Sequence, residues 1–253
     1  MKNSNTILLY KKSDPLVVSN YRPIGLLNTT CKLWTSMISI IMHEYCEHHH
    51  INSTCQEGFM ARRNTIRQLT LMTLTLQDAA LTGKNIYTAY INFSSAFNTI
   101  NHDKCFQIMY DLDIPEDAIR NVRHLYSNAT TSVEIPGMGT TCPIPIRQGT
   151  IQGGIPRGYE VILSPLIFNI YLEPLLRWLQ VGGRGYTYGC LQGDNTTSTK
   201  HACASLAYAD DLAIMTSNHN HMPIQARKVD QYLHMVKPEG KSRKMRDYRY
   251  LSQ

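Results

Sequence analysis

The chain has no long hydrophobic run. None of its 253 residues fall in a stretch apolar enough to cross a bilayer as a helix, so no membrane partner is expected. Near the start, Ile7-Leu8-Leu9-Tyr10 is too short for the apolar core of a signal peptide. A disulfide framework is missing too. The seven cysteines (31, 46, 55, 105, 142, 190 and 203) are scattered and odd in number, the pattern of reduced intracellular thiols. Matches to N-x-[ST] at Asn28 and Asn195 carry little weight without a secretion signal. There are no internal repeats and no clear linker, so any subdomains are expected to share one continuous body. Acidic residues are the minority charge, 19 against 25 Lys and Arg; the net charge of +6 is compatible with a polyanionic partner without establishing one.

What is present is enough apolar content, 43%, to fill a core. Short strands are expected at 7–12 and 21–27, around a turn at Ser13-Asp14-Pro15. A helix of about 20 residues should start near Asn28-Thr29, with Leu33, Trp34, Met37, Ile38 and Ile41 at helical spacing. A second follows Asn64-Thr65, with Ile66, Leu69, Met72, Leu76 and Ala80 on one side, closed by Gly83. Residues 86–93 read as a buried strand. Helices are expected at about 102–112 and from Pro115 to Tyr126. A hairpin fits 131–147, turning at Pro136-Gly137. A strongly apolar helix fits Leu163 to Leu179, a Gly-, Thr- and Asn-rich loop fits 181–200, and an amphipathic helix lies near 223–236. From Lys237 to Gln253 the apolar pattern fails, with six basic residues against two acidic. His43, Cys46, His48, His49, His50 and Cys55 invite a zinc reading, but their spacing fits no pair-plus-pair pattern; a polar helix end accounts for them better.

The sharpest feature is Tyr208-Ala209-Asp210-Asp211. It lies between Ala204-Ser205-Leu206-Ala207 and Leu212-Ala213-Ile214-Met215, which predicts a β-hairpin with two carboxylates at its tip. Neighbouring carboxylates on a tight turn repel each other. A divalent cation relieves this, and Mg²⁺ prefers carboxylate oxygens with substrate phosphates. An isolated Asp-Asp is more often a solvated acidic turn; the rest of the chain changes that balance.

Several blocks occur in order. Leu8-Leu9-Tyr10-Lys11-Lys12-Ser13-Asp14-Pro15 precedes Asn20-Tyr21-Arg22-Pro23-Ile24-Gly25-Leu26 and Gln56-Glu57-Gly58-Phe59. Ile91-Asn92-Phe93-Ser94-Ser95-Ala96-Phe97-Asn98 follows, then Arg147-Gln148-Gly149-Thr150-Ile151-Gln152-Gly153 and Leu163-Ser164-Pro165-Leu166-Ile167-Phe168. Leu172-Glu173-Pro174-Leu175-Leu176-Arg177-Trp178-Leu179 comes before the acidic hairpin. Over about residues 5–235 the chain closely resembles the reverse transcriptase domain of non-LTR (LINE-type) retrotransposons. The Leu-Glu-Pro-Leu-Leu-Arg-Trp-Leu and Gly-Gly-Arg-Gly-Tyr blocks favour this over group II intron proteins.

The resemblance implies an α/β (α+β) right-hand polymerase fold that holds fingers and palm and lacks the thumb. The reverse transcriptase domain would span 5–236, with fingers about 1–85 and 113–147, palm about 86–112 and 148–236, and a diverged basic tail at 237–253. It implies RNA-directed DNA polymerisation: two Mg²⁺ ions, an RNA template, a DNA primer and dNTPs, in the nucleus. Asp210 and Asp211 match the metal-binding hairpin pair. Lys11 or Lys12 and Arg22 match fingers positions that grip the triphosphate. Phe97 matches the steric gate against a 2′-hydroxyl, and Gln152 and Gly153 match the pair that contacts the nucleotide.

Three departures stand out. Asn92 occupies the position of the first catalytic Asp. It offers a neutral amide oxygen in place of a charged ligand, which implies weakened Mg²⁺ binding and an inactive or nearly inactive chain. Gly154–Ile162 places nine residues where relatives have a much shorter spacer, as an irregular excursion or a damaged segment. After Tyr232-Leu233-His234 the pattern dissolves; Lys237 and Lys241 are the candidates for a nucleotide-contacting lysine, and the chain is expected to be a fragment of a larger element-encoded protein. The rival reading is a catalytically dead nucleic-acid-binding remnant or a non-functional element fragment.

Overall fold

A computed structural model describes residues 3–12, 14–60, 62–93, 96–135, 137–150, 163–189 and 201–236, with the backbone of 246–252. In chain order the elements are β1 (Asn3–Tyr10), β2 (Tyr21–Leu26), α1 (Thr29–His48), α2 (Thr65–Thr82), β3 (Tyr87–Phe93), α3 (His102–Asp111), α4 (Glu116–Tyr126), β4 (Thr130–Ile135), β5 (Gly139–Thr140), β6 (Ile144–Pro145), α5 (Leu163–Gln180), β7 (Tyr186–Thr187), β8 (Ala202–Cys203), β9 (Ser205–Tyr208), β10 (Asp211–Thr216), α6 (His221–Val236) and β11 (Arg246–Ser252). They form two compact units: Met1–His49 with Phe97–Ile167, and His50–Ala96 with Phe168–Gln253.

In the first unit β1 pairs antiparallel with β2 and parallel with β4, and β5 and β6 both return onto β4. The expected hairpin over 131–147 is therefore a strand with two short partners, and its parallel neighbour comes from the other end of the unit. Met42 of α1, Met109 of α3, and Ile119 and Val122 of α4 are buried.

In the second unit the sheet order is β11-β3-β10-β9, all antiparallel. Ala79, Ile86, Tyr186, Leu206 and Met215 form a core cluster with Met72, Tyr188, Cys203 and Ala213 packed against it. Along β3, Ala89, Ile91 and Phe93 are buried while Tyr90 and Asn92 are exposed, the alternation of a strand covered on one face.

Helix starts follow local chemistry. Asn28, Asn64 and Asn101 each accept a hydrogen bond from the backbone N–H three residues on, capping α1, α2 and α3. Gly83 ends α2 in the left-handed region at φ +66°. The described part of helix α5 runs from Leu163 to Gln180.

Helices α1 and α2 form where expected, though their packed faces do not follow the apolar spacing, and the tail is not without regular structure. Helix α1 buries Cys31, Ile38, Ser39, Met42, His43 and Cys46, and leaves Leu33, Trp34, Met37 and Ile41 exposed. Its apolar residues run around more than one side, so periodicity alone could not choose the packed face. Helix α2 likewise buries Gln68, Thr75 and Ala79 and exposes Ile66 and Leu69. Lastly, the stretch 237–253 holds strand β11, which adds to the edge of β3 with Asp247 opposite Asn92 in register. Backbone pairing supplies there what an apolar pattern did not. The expected excursion at 154–162 lies outside the described residues, as do Lys237 and Lys241.

Candidate active site

Tyr208 ends β9 and Asp211 begins β10. The two face each other in the ladder, so Ala209-Asp210 is a two-residue hairpin loop. Ala209 has φ +54° while Asp210 does not take a positive φ. A positive φ at the first loop position alone is the pattern of a type II′ turn, where glycine is the usual occupant. An L-residue there is strained by about 1 kcal/mol.

On the other side of β10, Asp211 lies opposite Asn92 of β3. The Asn92 Nδ2 donates to Asp211 Oδ1 at 3.4 Å, and the Phe93 N–H donates to the Asp210 carbonyl at 3.3 Å. Asn92 and the two aspartates therefore stand together at one end of the sheet. Asn92 and Asp211 are exposed and Asp210 is half-buried. Partial burial, reinforced by the Asp210 charge, raises the Asp211 carboxyl above the ordinary aspartate value.

The loop over 51–60 supports this turn. Gln56 is 1% exposed, and its Oε1 accepts from the Ala209 N–H at 3.0 Å and the Gly58 N–H at 2.8 Å. Its Nε2 donates to the Ala209 carbonyl at 3.2 Å. Backbone bonds join the same segments: Ala207 N–H to Cys55 O at 2.8 Å, and Glu57 N–H to Ala207 O at 3.0 Å. Gln68 Nε2 reaches both Cys55 O and Ala207 O.

Helix α5 holds the other side of the loop. Asn169 donates to the Gly58 carbonyl at 2.8 Å. Glu173, 1% exposed, accepts from the Ser53 N–H, the Ser53 hydroxyl and Arg177, while Arg177 also donates to the Ile51 carbonyl. Burial outweighs those donors and raises the Glu173 carboxyl above its usual range.

The remaining sequence candidates lie in the first unit. Lys11 and Lys12 are exposed just after β1, and Arg22 is exposed on β2 opposite Leu9. Phe97 is half-buried in a 3-10 turn over Ala96–Asn98, and its carbonyl accepts from the Thr150 N–H at 2.7 Å. Gly149 has φ +83°, and a Cβ there would lie 2.8 Å from the Asn98 Cα, so the Arg-Gln-Gly segment depends on glycine to approach residues 97–100. Gln152 and Gly153 lie outside the described residues. Gln56, Asn169, Glu173 and Arg177 had no assigned role in the sequence. Their only signal was membership of the Gln-Glu-Gly-Phe block, the Leu-Ser-Pro-initiated helix and the Leu-Glu-Pro block.

An antiparallel sheet carrying an acidic hairpin, in a chain whose other unit has a sheet of its own, fits a right-hand polymerase fold. Structural neighbours agree. The chain matches the telomerase of Candida tropicalis in complex with a fragment of telomeric RNA at a TM-score of 0.65 and 11% identity, over 99% of this chain and 41% of that one. It matches an apo telomerase from Candida tropicalis truncated from its C-terminal domain at 0.59 and 12%, over 100% and 50%. At such identities the likeness concerns the fold.

The chain belongs to the reverse transcriptase (RNA-dependent DNA polymerase) family, which matches residues 10–251. Among its relatives, the Retrovirus-related Pol polyprotein from type-1 retrotransposable element R2 of Nasonia vitripennis is 21% identical over 96% of this chain and 23% of its own length. The probable RNA-directed DNA polymerase from transposon BS of Drosophila melanogaster is 23% identical over 92% and 23%. These relatives support the non-LTR retrotransposon branch that the sequence blocks resemble. The chain spans about a quarter of the length of either relative.

Proposed function

We propose that this chain is the polymerase core of a LINE-type element protein, built to add nucleotides to a DNA primer on an RNA template, and that Asn92 leaves it with little or no catalytic rate. In this reading the palm holds about 86–112 and 148–236 and the fingers about 1–85 and 113–147, a division that does not coincide with that of the two compact units. The observation that carries the proposal is the in-register placement of Asn92 beside Asp211 at the base of the Ala209-Asp210 turn, in a chain of this family.

The donor set is oxygen-rich: two carboxylates and an amide oxygen, which suits Mg²⁺. Partial burial and, after it, the Asp210 charge raise the Asp211 carboxyl, and a cation would offset both. Asp210 and Asp211 would hold the ions, whose chemistry is to activate the primer hydroxyl and neutralise the leaving pyrophosphate. Asn92 supplies no charge, and its amide nitrogen already faces Asp211. Loss of one anionic ligand weakens transition-state stabilisation by several kcal/mol, roughly two to four decades in rate. Lys11, Lys12 and Arg22 are free of any role in the second unit's sheet and suit a triphosphate. Phe97 suits a sugar-discriminating contact, and Gln152 and Gly153 a nucleotide contact.

Filter binding to an RNA–DNA primer–template, with and without Mg²⁺, beside a primer-extension assay, tests both halves. Expected are salt-dependent binding and extension at or near background. Failure to bind any primer–template would remove the polymerase-core reading, and robust extension by the unmodified chain would remove the assignment of Asn92 as a crippling replacement.

A further inference from the structure

We infer that Gln56 is a positioning residue for the Asp210–Asp211 pair, acting by fixing which way the Ala209–Asp210 peptide faces. The inference rests on the metal-binding reading above and adds to it a residue outside the hairpin.

Two-residue hairpin loops choose between type I′ and type II′, which differ by a flip of the central peptide. Here that peptide joins Ala209 to Asp210. A flip would turn the Ala209 carbonyl to the opposite side and put Asp210 at positive φ, which changes the rotamers open to its carboxylate. Type I′ would put both Ala209 and Asp210 at positive φ, so the local sequence leans toward II′, but weakly, because alanine at φ +54° is strained in either form.

Gln56 strengthens that selection. Its Nε2 donates to the Ala209 carbonyl, and its Oε1 accepts from the Ala209 N–H. A primary amide carries both an acceptor and a donor, so one side chain grips both ends of the residue. Only one orientation of the peptide allows both bonds. Ala209 is buried, so losing the bracket would leave its polar groups without water to replace it.

The bracket is itself immobilised. Gln56 sits in a segment bonded to β9 through Cys55, Glu57 and Ala207. Arg63 donates to the Gln56 carbonyl at 2.7 Å, and Asn169 holds the Gly58 carbonyl. Gly58 lets the loop come this close: a Cβ there would lie 2.2 Å from the Ala209 nitrogen. A rigid partner for the carbonyl and N–H of a turn residue is what holding two carboxylates at one position requires.

The test uses the full chain labelled with ¹⁵N-alanine and two readouts. One is the hydrogen-exchange rate of the Ala209 amide. The other is binding of Tb³⁺, a hard cation whose luminescence Tyr208 can sensitise. Gln56→Met keeps the length of the side chain and deletes both polar atoms. Gln56→Glu keeps the acceptor for the Ala209 N–H and loses the donor to its carbonyl. Gln68→Met removes buried hydrogen bonds from the same loop without touching Ala209, and controls for general loosening.

Expected for Gln56→Met are Ala209 exchange at least about tenfold faster and Tb³⁺ affinity about 10- to 100-fold weaker. Gln56→Glu should keep the amide protected yet weaken Tb³⁺, and Gln68→Met should leave Tb³⁺ affinity within about twofold of the parent. Adding Ala209→Gly to Gln56→Met should recover part of the Tb³⁺ affinity, since glycine favours II′ unaided. If Gln56→Met does not fold, Gln56→Glu and the Gln68→Met control decide the matter. Unchanged Tb³⁺ affinity in Gln56→Met or Gln56→Glu, while Asp210→Asn abolishes it, would overturn the inference. Equal losses in the Gln56 and Gln68 variants would also overturn it. Tb³⁺ binding that Asp210→Asn leaves unchanged would instead overturn the metal reading, and the Ala209 exchange rate would still decide whether Gln56 holds the turn.

Discussion

The amide nitrogen of Asn92 donates to the Asp211 carboxylate across 3.4 Å, and the two residues are direct partners in the β3–β10 ladder. With the nitrogen turned toward Asp211, Asn92 acts as a weak internal counter-group to an acidic pair. The same residue that removes a ligand also quiets the repulsion that a metal would otherwise relieve.

Asn92→Asp reverses both effects. Without metal it places like charges opposite each other in a sheet, which should lower stability by about 0.5–1 kcal/mol. Divalent affinity should rise by about tenfold or more, as ligand charge increases. Thermal melting with and without Mn²⁺ checks both: the variant should melt below the parent in chelator and above it in Mn²⁺. Primer extension should improve less than metal binding, because Gly154–Ile162 is unchanged beside Gln152-Gly153 in the sequence.

Asp211 gives a pH dependence of definite sign. Its carboxyl is raised in the folded chain by partial burial and by Asp210. Between the ordinary aspartate value and the raised one, the folded state binds more protons than the unfolded state. Stability from this group therefore falls as pH rises through that window, and the penalty persists at neutral pH. Asp211→Asn should stabilise the chain at pH 7 by roughly a few tenths of a kcal/mol, a small effect because the side chain is exposed and screened. Urea midpoints at pH 7 and pH 3 should differ from the parent only at pH 7.

His43 has the opposite sign. It is buried on α1, neither ring nitrogen has a hydrogen-bond partner among the described residues, and burial pushes its pKa down to about 4. Between the ordinary histidine value and about 4 the unfolded state takes up a proton that the folded state refuses. Stability is thus lost as pH falls through that window, by about 3 kcal/mol if the group acts alone. His43→Met should flatten the stability profile between pH 6.5 and pH 4 and raise stability at neutral pH. An unchanged slope in that range would assign acid sensitivity to other groups.

Gly58→Ala should be severe for a surface-sized change. The added Cβ would lie 2.2 Å from the Ala209 nitrogen, against backbone that cannot yield without moving the acidic turn. A loss of about 1–3 kcal/mol in urea unfolding is expected. Gly137→Ala, where a Cβ meets nothing within 4 Å but φ is +78°, should show only the smaller cost of a left-handed alanine, about 1 kcal/mol.

Much of the candidate site is legible in the sequence. The apolar-acidic-apolar pattern at 204–215 gave the hairpin and its tip, and the end of strand 86–93 pointed to Asn92. Helix limits were legible where chemistry acts within one turn: Asn28 and Asn64 cap N-termini, and Gly83 closes α2. Less visible were the packed faces of α1 and α2, where apolar residues exceed what one face can bury.

What the sequence determined by itself was therefore local: caps, strand alternation, a charged turn and the order of motif blocks. The tertiary structure alone decided that β11 joins β3, that α5 grips the 51–60 loop through Asn169, Glu173 and Arg177, and that Gln56 clasps Ala209. Each of these joins residues far apart in the chain, 153 positions for Gln56 and Ala209. A hydrogen bond at that separation leaves no periodicity or spacing in the sequence. It exists only because folding brings both partners out of water together, where an unmatched amide costs more than a matched one gains.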